Sequence, residues 1–386
     1  MRGDDISARA RGIHFSSLVF DTHADTPQRI LFDQFDLARR DSEGCVDIPR
    51  MREGGVGAIF FALWVPVEIT GHAATQRARD LLDAVLRQVE LHSGDLALAT
   101  TPEEVRRARK ENKIAIMLGI EGGHAINNDL DILREFHACG ARYLTLTHTA
   151  ATDWADSSNG APRHNGLTDF GKQVIREMNR LGMLVDVSHV SDATFYDVLQ
   201  TSQAPVIASH SCCRALCGVP RNLDDEMIQR LAAAGGMIHI TFHRPFLSKE
   251  FADARETLAA ERAELEKDAK RKFGLNEARK LIEGQRWGRQ ATLEGKLPAV
   301  SWEKIIDHID HAVRLAGADH VGLGSDFDGA FMPDGLEDAA KYSKITEGLL
   351  RRGHGEADIR GILGENTLRV MAEAQRASGQ RHAENP

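Results

Sequence analysis

Six short apolar segments of this chain finish in, or run straight into, a side chain that can bind a metal or move a proton. Residues 18–21 lead into His23-Ala24-Asp25, 114–121 ends at Glu121, 143–148 at His148, 184–189 at His189, 206–210 at His210 and 321–326 at Asp326. Apolar strands have no folding reason to end so often in His, Asp or Glu, so the set is read jointly as chemistry. Four imidazoles and three carboxylates suit divalent transition ions, whose usual ligands these are. His23 and Asp25, two residues apart, fall on one side of an extended chain and are expected to hold one ion together. His189 and His210 come from neighbouring segments and suit a second ion, with Glu121 between the pairs as a bridge. Two ions sharing a hydroxide make a strong nucleophile at neutral pH and polarise a carbonyl.

These segments belong to a set of eight: 18–21, 58–64, 114–121, 143–148, 184–189, 206–210, 236–241 and 321–326. They are continuous hydrophobic runs, as expected of parallel strands covered on both faces. Helical periodicity lies between most of them, with start signals at Thr101-Pro102-Glu103-Glu104 and Ser301-Trp302-Glu303-Lys304. The alternation predicts an α/β fold, a (β/α)8 TIM-like barrel whose active site is built at the C-terminal strand ends. An open doubly wound sheet is the alternative. A barrel needs about 250 residues, so the 386 present predict one domain, 1–386, with a charged helical insertion at about 249–297. Of the 48 residues in 249–296, 22 are charged, with Leu258, Leu265 and Ala269 on a sparse apolar stripe. A helical hairpin on the barrel rim is expected there, with a lid or a homodimer contact as alternatives. The tail from Gln375 onward reads as frayed.

Acidic residues outnumber basic ones 57 to 48, a formal charge of −9, which argues against nucleic acid as a partner because phosphate contacts need clustered Lys and Arg. No window approaches the ~18 consecutive apolar residues of a membrane span. The N-terminal Met1-Arg2-Gly3-Asp4-Asp5 lacks the apolar core of a signal peptide. The expected location is cytoplasmic, with a periplasmic or secreted one if a leader has been removed. Cys45, Cys139, Cys212, Cys213 and Cys217 have no CxxC spacing and read as mostly buried free thiols, a Cys45–Cys139 disulfide being the alternative.

The motifs Asp21-Thr22-His23-Ala24-Asp25-Thr26-Pro27, Glu121-Gly122-Gly123-His124, Leu144-Thr145-Leu146-Thr147-His148, Val185-Asp186-Val187-Ser188-His189, Ala208-Ser209-His210-Ser211, Pro220-Arg221-Asn222 and Gly324-Ser325-Asp326-Phe327-Asp328-Gly329 resemble those of the membrane (renal) dipeptidase family. Its members are binuclear zinc dipeptidases of the amidohydrolase superfamily. The resemblance spans about residues 18–369, in family order. It implies two Zn²⁺ per chain, His23 and Asp25 on one, His189 and His210 on the other, Glu121 bridging. It further implies that His148 contacts the substrate carbonyl or developing oxyanion, that Arg221 holds the C-terminal carboxylate, and that Asp326 shuttles the proton. Each role suits its residue: a bidentate fork for a carboxylate, a donor for tetrahedral charge, a carboxylate that carries a proton to the leaving amine. Related amidohydrolases bridge their metals with a carboxylated Lys, whereas no strand here ends in Lys; Lys113 lies on the opposite rim. The lipid anchor of the animal enzymes has no counterpart hydrophobic tail here, so no membrane anchor is expected. The charged insertion resembles a bacterial subgroup.

Four further sites carry weaker expectations. His124 is read as near the site without being a ligand, His239 as packed inside its strand, and Trp154-Ala155-Asp156, in the long loop after the fourth segment, as lining the pocket, with surface packing as the alternative. Asp328 follows Asp326 by two residues and would point the same way in an extended chain; only the family pattern chooses Asp326. The expected function is a zinc-dependent dipeptidase that hydrolyses free dipeptides, including those with a C-terminal D-residue, by a metal-bridging hydroxide. The alternatives are another amidohydrolase acting on N-acyl amino acids, lactams or a peptide-derived natural product, and a barrel that keeps metals only as structure. Intact His148, Arg221 and Asp326 speak against the last.

Overall fold

The structure, a computed structural model, describes residues 7–384, with side chains to Gly379; Met1-Arg2-Gly3-Asp4-Asp5 lies outside the described residues. Nine strands occur among them: β1 (Val19–Ala24), β2 (Val56–Trp64), β3 (Leu96–Leu98), β4 (Ile114–Glu121), β5 (Ala141–Thr145), β6 (Leu184–Asp186), β7 (Val206–Ser211), β8 (Met237–Ile240) and β9 (Val321–Leu323). They are hydrogen-bonded in the order β2-β1-β9-β8-β7-β6-β5-β4, and β2 pairs again with β4, so eight parallel strands close into a barrel. The expected (β/α)8 architecture is therefore the observed one. The ninth strand, β3, was not anticipated: it pairs Leu96 with Ile114 at the start of β4, below β5, which pairs Thr145 with Glu121 at its end. Three residues, only one of them buried, leave too short an apolar run to read.

Inside the barrel, Phe20, Phe60, Met117, Tyr143, Ile207 and Met237, from six different strands, form one buried cluster. Neighbours of opposite parity, such as Val19, Ile59, Phe61, Ile116 and Leu118, pack outward into the larger layer beneath the helices, as alternation along a strand requires. Gly119 makes this interior possible. A Cβ there would stand 2.0 Å from Cζ of Tyr143, so only glycine lets that ring cross the barrel.

Three strands end earlier than expected. β5 stops at Thr145, β6 at Asp186 and β9 at Leu323, so His148, His189 and Asp326 stand three residues beyond, on loops. For β6 and β9 the cause is a pair of buried carboxylates that take backbone N–H groups out of the ladder. Asp186 Oδ1 accepts from Ser188 N at 3.0 Å and Ser209 N at 2.8 Å; Asp21 Oδ1 accepts from His23 N at 3.2 Å and Ser325 N at 2.8 Å. Beyond each, the backbone turns through the left-handed region, φ being 70° at His189 and 65° at Asp326. Such values are uncommon outside glycine and are held by their surroundings.

Lys249–Thr257, Ala259–Phe273 and Glu277–Leu293 are helices, so the insertion is a hairpin of two helices preceded by a third. Its last helix is tied to the barrel side by Arg279, which donates to Asp33 at 3.0 Å and to Glu43 at 2.8 Å, and by Gln285, which donates to the Ala330 carbonyl at 3.1 Å. The tail differs from expectation. Asn366–Glu384 is one helix, its Leu368, Val370, Met371 and Ala374 complete the interior cluster, and Gln375 donates to the Thr100 carbonyl. All five cysteines are free and four are buried, with Cys139 exposed, so Cys45 and Cys139 are not bonded. Among the described residues no helix is long and apolar enough to cross a membrane.

Candidate active site

The end of β4 brings a carboxylate to the centre of the barrel mouth. Glu121 is buried, and its two oxygens face different partners: Oε2 lies 3.4 Å from His23 Nε2, while Oε1 lies 3.1 Å from His189 Nε2 and 3.4 Å from His210 Nε2. Asp25 Oδ2 is 3.8 Å from His23 Nε2, and His148 Nε2 is 3.9 Å from Glu121 Oε1. Three overlapping groups, His23–Glu121–His210, Glu121–His148–His189 and His23–Asp25–Asp326, each gather their donor atoms within 4.8 Å. His23 and Asp25 meet as expected, but not by strand alternation. Asp25 has left the strand, at φ −90° and ψ 14°, and its position is secured by its N–H, which donates to the Phe327 carbonyl at 2.8 Å.

The donor set fits divalent cations. His23 Nε2 and Asp25 Oδ1 are sealed from solvent without a hydrogen-bond partner, an expensive state for buried polar atoms. The histidines are also oriented for ligation. Ser209 Oγ donates to Asp186 Oδ2 at 2.6 Å, so at 2.8 Å from His210 Nδ1 it can only accept. That places the proton on Nδ1 and leaves the Nε2 lone pair facing Glu121. Tyr143 OH stands 2.9 Å from His23 Nδ1 and fixes the orientation of that imidazole, with Nε2 toward Glu121.

Electrostatics tell the same story. Burial lowers His23, but Glu121, Asp25 and Asp326 outweigh it and push its pKa up to about 10. Burial and the Glu121 charge drive Asp25 well above the carboxylate range. Asp326 is pushed up to about 7, by burial first, with His23 opposing and Glu121 reinforcing. Burial also raises Glu121, yet His23 and the His189 hydrogen bond hold it well below its usual value. His189 and His210 are driven well down, burial leading in both. Three carboxylates thus compete for one imidazolium, so the cluster lacks positive charge. Bound dications supply charge of that sign.

Around the cluster lies a cavity of about 1120 Å³ between the barrel mouth and the insertion helices. His148 borders it, its ring 5.3 Å from Trp64 and 4.4 Å from His189; burial keeps it neutral, with a pKa lowered to about 4. Arg221 is buried there. Its Nη1 donates to Ser211 Oγ and its Nη2 to the His210 carbonyl, both at 2.6 Å, and its Nε has no partner. Asp326 joins the cavity while Asp328 turns away, accepting from Thr26 Oγ1 at 2.6 Å and Cys45 N at 2.7 Å. Geometry thus separates the two carboxylates that the residues alone did not: φ is 65° at one and 66° at the other, so alternation does not apply.

Two weaker expectations hold and one fails. His124 stands outside the three metal-competent groups. His239 lies packed between the Ala208 carbonyl and Thr367 Oγ1, each at 3.1 Å. Trp154, Ala155 and Asp156 do not line the cavity; Asp156 accepts from the backbone N–H groups of Arg163, His164 and Gly166 and so pins its loop. Sequence reasoning missed Tyr143, Ser209 and the carboxylates of Asp21 and Asp186, which support the site from below, and Trp64 and His243 on the cavity wall. The polar residues inside the quoted motifs were the available signal, since a Ser next to His210 or an Asp within a strand needs a partner.

A family model described as membrane dipeptidase, peptidase family M19, matches residues 7–385. Dipeptidase 3 of Homo sapiens is 32% identical over 394 aligned residues, spanning 99% of this chain and 70% of that protein; dipeptidase 3 of Macaca fascicularis is 31% identical with the same coverage. The crystal structure of the probable dipeptidase PvdM from Pseudomonas aeruginosa superposes with a TM-score of 0.81 at 27% identity, over 96% of this chain and 98% of that one. A metallo peptidase from Rhodobacter sphaeroides, solved with a phosphinate mimic of the dipeptide L-Ala-D-Ala, superposes with a TM-score of 0.76 at 26% identity, over 93% of this chain and 99% of that one.

Proposed function

The chain belongs to the membrane dipeptidase family, the metallo-dipeptidases of peptidase family M19, and from that premise we propose that it hydrolyses free dipeptides, those with a C-terminal D-residue included, at a pair of zinc ions. The observation that carries this reading is the division of Glu121: one oxygen faces His23 and the other faces His189 and His210. A carboxylate so placed suits a bridge, with His23 and Asp25 completing one ligand set and His189 and His210 the other. Imidazole and carboxylate suit zinc among the divalent ions. When bound, the ions would lower the pKa of water and polarise the scissile carbonyl.

The remaining residues divide the work on the substrate. Neutral His148 donates a hydrogen bond to the carbonyl oxygen as charge develops on it. Arg221, clamped by Ser211 and the His210 carbonyl, presents its free Nε–H toward the C-terminal carboxylate. Asp326 takes the proton released by the attacking water and returns it to the departing amine. Acceptance of a D-residue is supported by the relative that holds the L-Ala-D-Ala mimic. Five unpaired cysteines favour a reducing compartment, so a cytoplasmic location is part of the proposal.

The test is a dipeptide library, varied in side chain and chirality, run on zinc-loaded protein beside N-acyl amino acids. Hydrolysis of dipeptides with little of the acyl series is the expected result. The reverse preference would reassign the enzyme within the amidohydrolases.

A further inference from the structure

The cavity above Glu121 contains a second guanidinium that forms no ion pair with a carboxylate among the described residues. Arg255, on the helix Lys249–Thr257, lines the same cavity as Arg221, His243, Phe246 and Phe331. Its Nε is sealed from solvent and has no hydrogen-bond partner, and among the described residues it makes no ion pair. Two other cations of this wall are paired: Arg262 lies 3.2 Å from Glu266 and Lys280 lies 2.6 Å from Glu277. Glu266 and Glu256 are felt by Arg255 but lie outside ion-pair distance, and burial with the nearby Arg262 lowers its pKa to about 10.

Arg255 is joined to Arg221 by a continuous wall. Arg221 Cζ lies 5.4 Å from the Phe246 ring, Phe246 is 4.6 Å from His243 and His243 is 6.1 Å from Phe331, and Arg255 Cζ is 6.0 Å from Phe331. His243 Nδ1 accepts from Phe331 N at 3.0 Å, so its proton sits on Nε2 and adds a donor to the same wall. A dipeptide has one terminal carboxylate, which Arg221 takes. A half-buried cation farther along that wall, with its Nε sealed and unpartnered, calls for a second anion, because removing a charged group from water without a partner is costly.

We infer that this enzyme favours dipeptides whose C-terminal residue is acidic, the side-chain carboxylate being received by Arg255 of the insertion. The inference rests on the dipeptidase reading and adds a substrate class to it. It also gives the charged insertion a task, since this helix supplies the selecting group.

The experiment compares kcat/KM of the zinc-loaded enzyme for isosteric pairs: L-Ala-L-Glu against L-Ala-L-Gln, L-Ala-D-Glu against L-Ala-D-Gln, and L-Glu-L-Ala against L-Gln-L-Ala. A preference of about tenfold or more for Glu over Gln is expected at the C-terminal position, the discrimination a built polar contact supplies. Little preference is expected at the N-terminal position. Arg255→Gln should collapse the C-terminal ratio toward unity, while Arg255→Lys should retain part of it. Equal rates for the wild type on Glu and Gln substrates, a preference confined to the N-terminal position, or a ratio unaltered in Arg255→Gln would each overturn the inference and leave the dipeptidase reading standing. Failure to cleave any dipeptide would remove both.

Discussion

Glu121 gathers the site because a carboxylate has two oxygens and the barrel gives each a different set of imidazoles. What surrounds it determines which residues turn over substrate and which only hold the ligands. Asp326 borders the cavity from the loop after β9, so Asp326→Asn should keep the metal content while kcat drops by about 10²–10⁴, the usual span for a lost acid/base. Metal analysis beside steady-state kinetics checks this; an unchanged rate would remove Asp326 from proton transfer. Tyr143→Phe should act differently, since the phenol touches His23 and not the substrate. Zinc affinity should weaken by about 10–100-fold, as when the outer partner of a ligand is lost, with kcat of the fully loaded enzyme little changed. Chelator competition reads the first and saturating-zinc kinetics the second. At this scale the gathering of His23, Asp25, Glu121, His148, His189 and His210 at one mouth was legible because they end or follow apolar runs, whereas Arg221 and the choice of Asp326 over Asp328 were legible only through the family motifs. Tyr143 was not, because an aromatic residue in a strand reads as core, which its ring also is.

Strands place these residues through devices that periodicity does not display. The eight apolar runs were readable and the closed parallel barrel followed from them. The early ends of β6 and β9 did not, because they depend on Asp186 and Asp21 capturing N–H groups from the loops that follow. Gly119 is a second such device. Gly119→Ala would bring a Cβ to 2.0 Å from the Tyr143 ring, and overpacking of that kind costs about 1–3 kcal/mol. The variant should therefore unfold at lower denaturant and bind zinc more weakly, because Tyr143 and His23 move together; unaltered zinc affinity would uncouple them. The helix Glu303–Ala316 offers a pH test. His308 accepts from Cys213 N at 3.0 Å and is held neutral by burial, its pKa lowered to about 4. A folded pKa below the unfolded ~6.5 means stability that is present above pH 6.5 and lost as pH falls toward 4. The melting temperature should fall across that window, and less steeply in His308→Gln than in wild type; parallel slopes would exclude His308 as a cause.

As a whole, the molecule has a formal charge of −9, and part of that acidity is concentrated where Asp25, Glu121 and Asp326 meet. Buried like charges strain the fold, so zinc should stabilise it: free metal at about 100 times Kd contributes about 2.7 kcal/mol, visible as a clear rise in melting temperature that chelator reverses. The insertion, readable as charged and helical from composition, roofs the cavity, which composition could not indicate because its partners lie more than two hundred residues away on Asp33 and Glu43. The central claim is that dipeptides are hydrolysed by metal held around Glu121. The most direct measurement is turnover of L-Ala-D-Ala and L-Ala-L-Ala with bound zinc quantified in the same samples, for wild type and Glu121→Gln, before and after chelation. Wild type should carry two equivalents of zinc, lose turnover on chelation and regain it with zinc, while Glu121→Gln should lose both zinc and turnover. Turnover that survives complete removal of metal, or a fully zinc-loaded wild type that cleaves neither dipeptide, would contradict the claim.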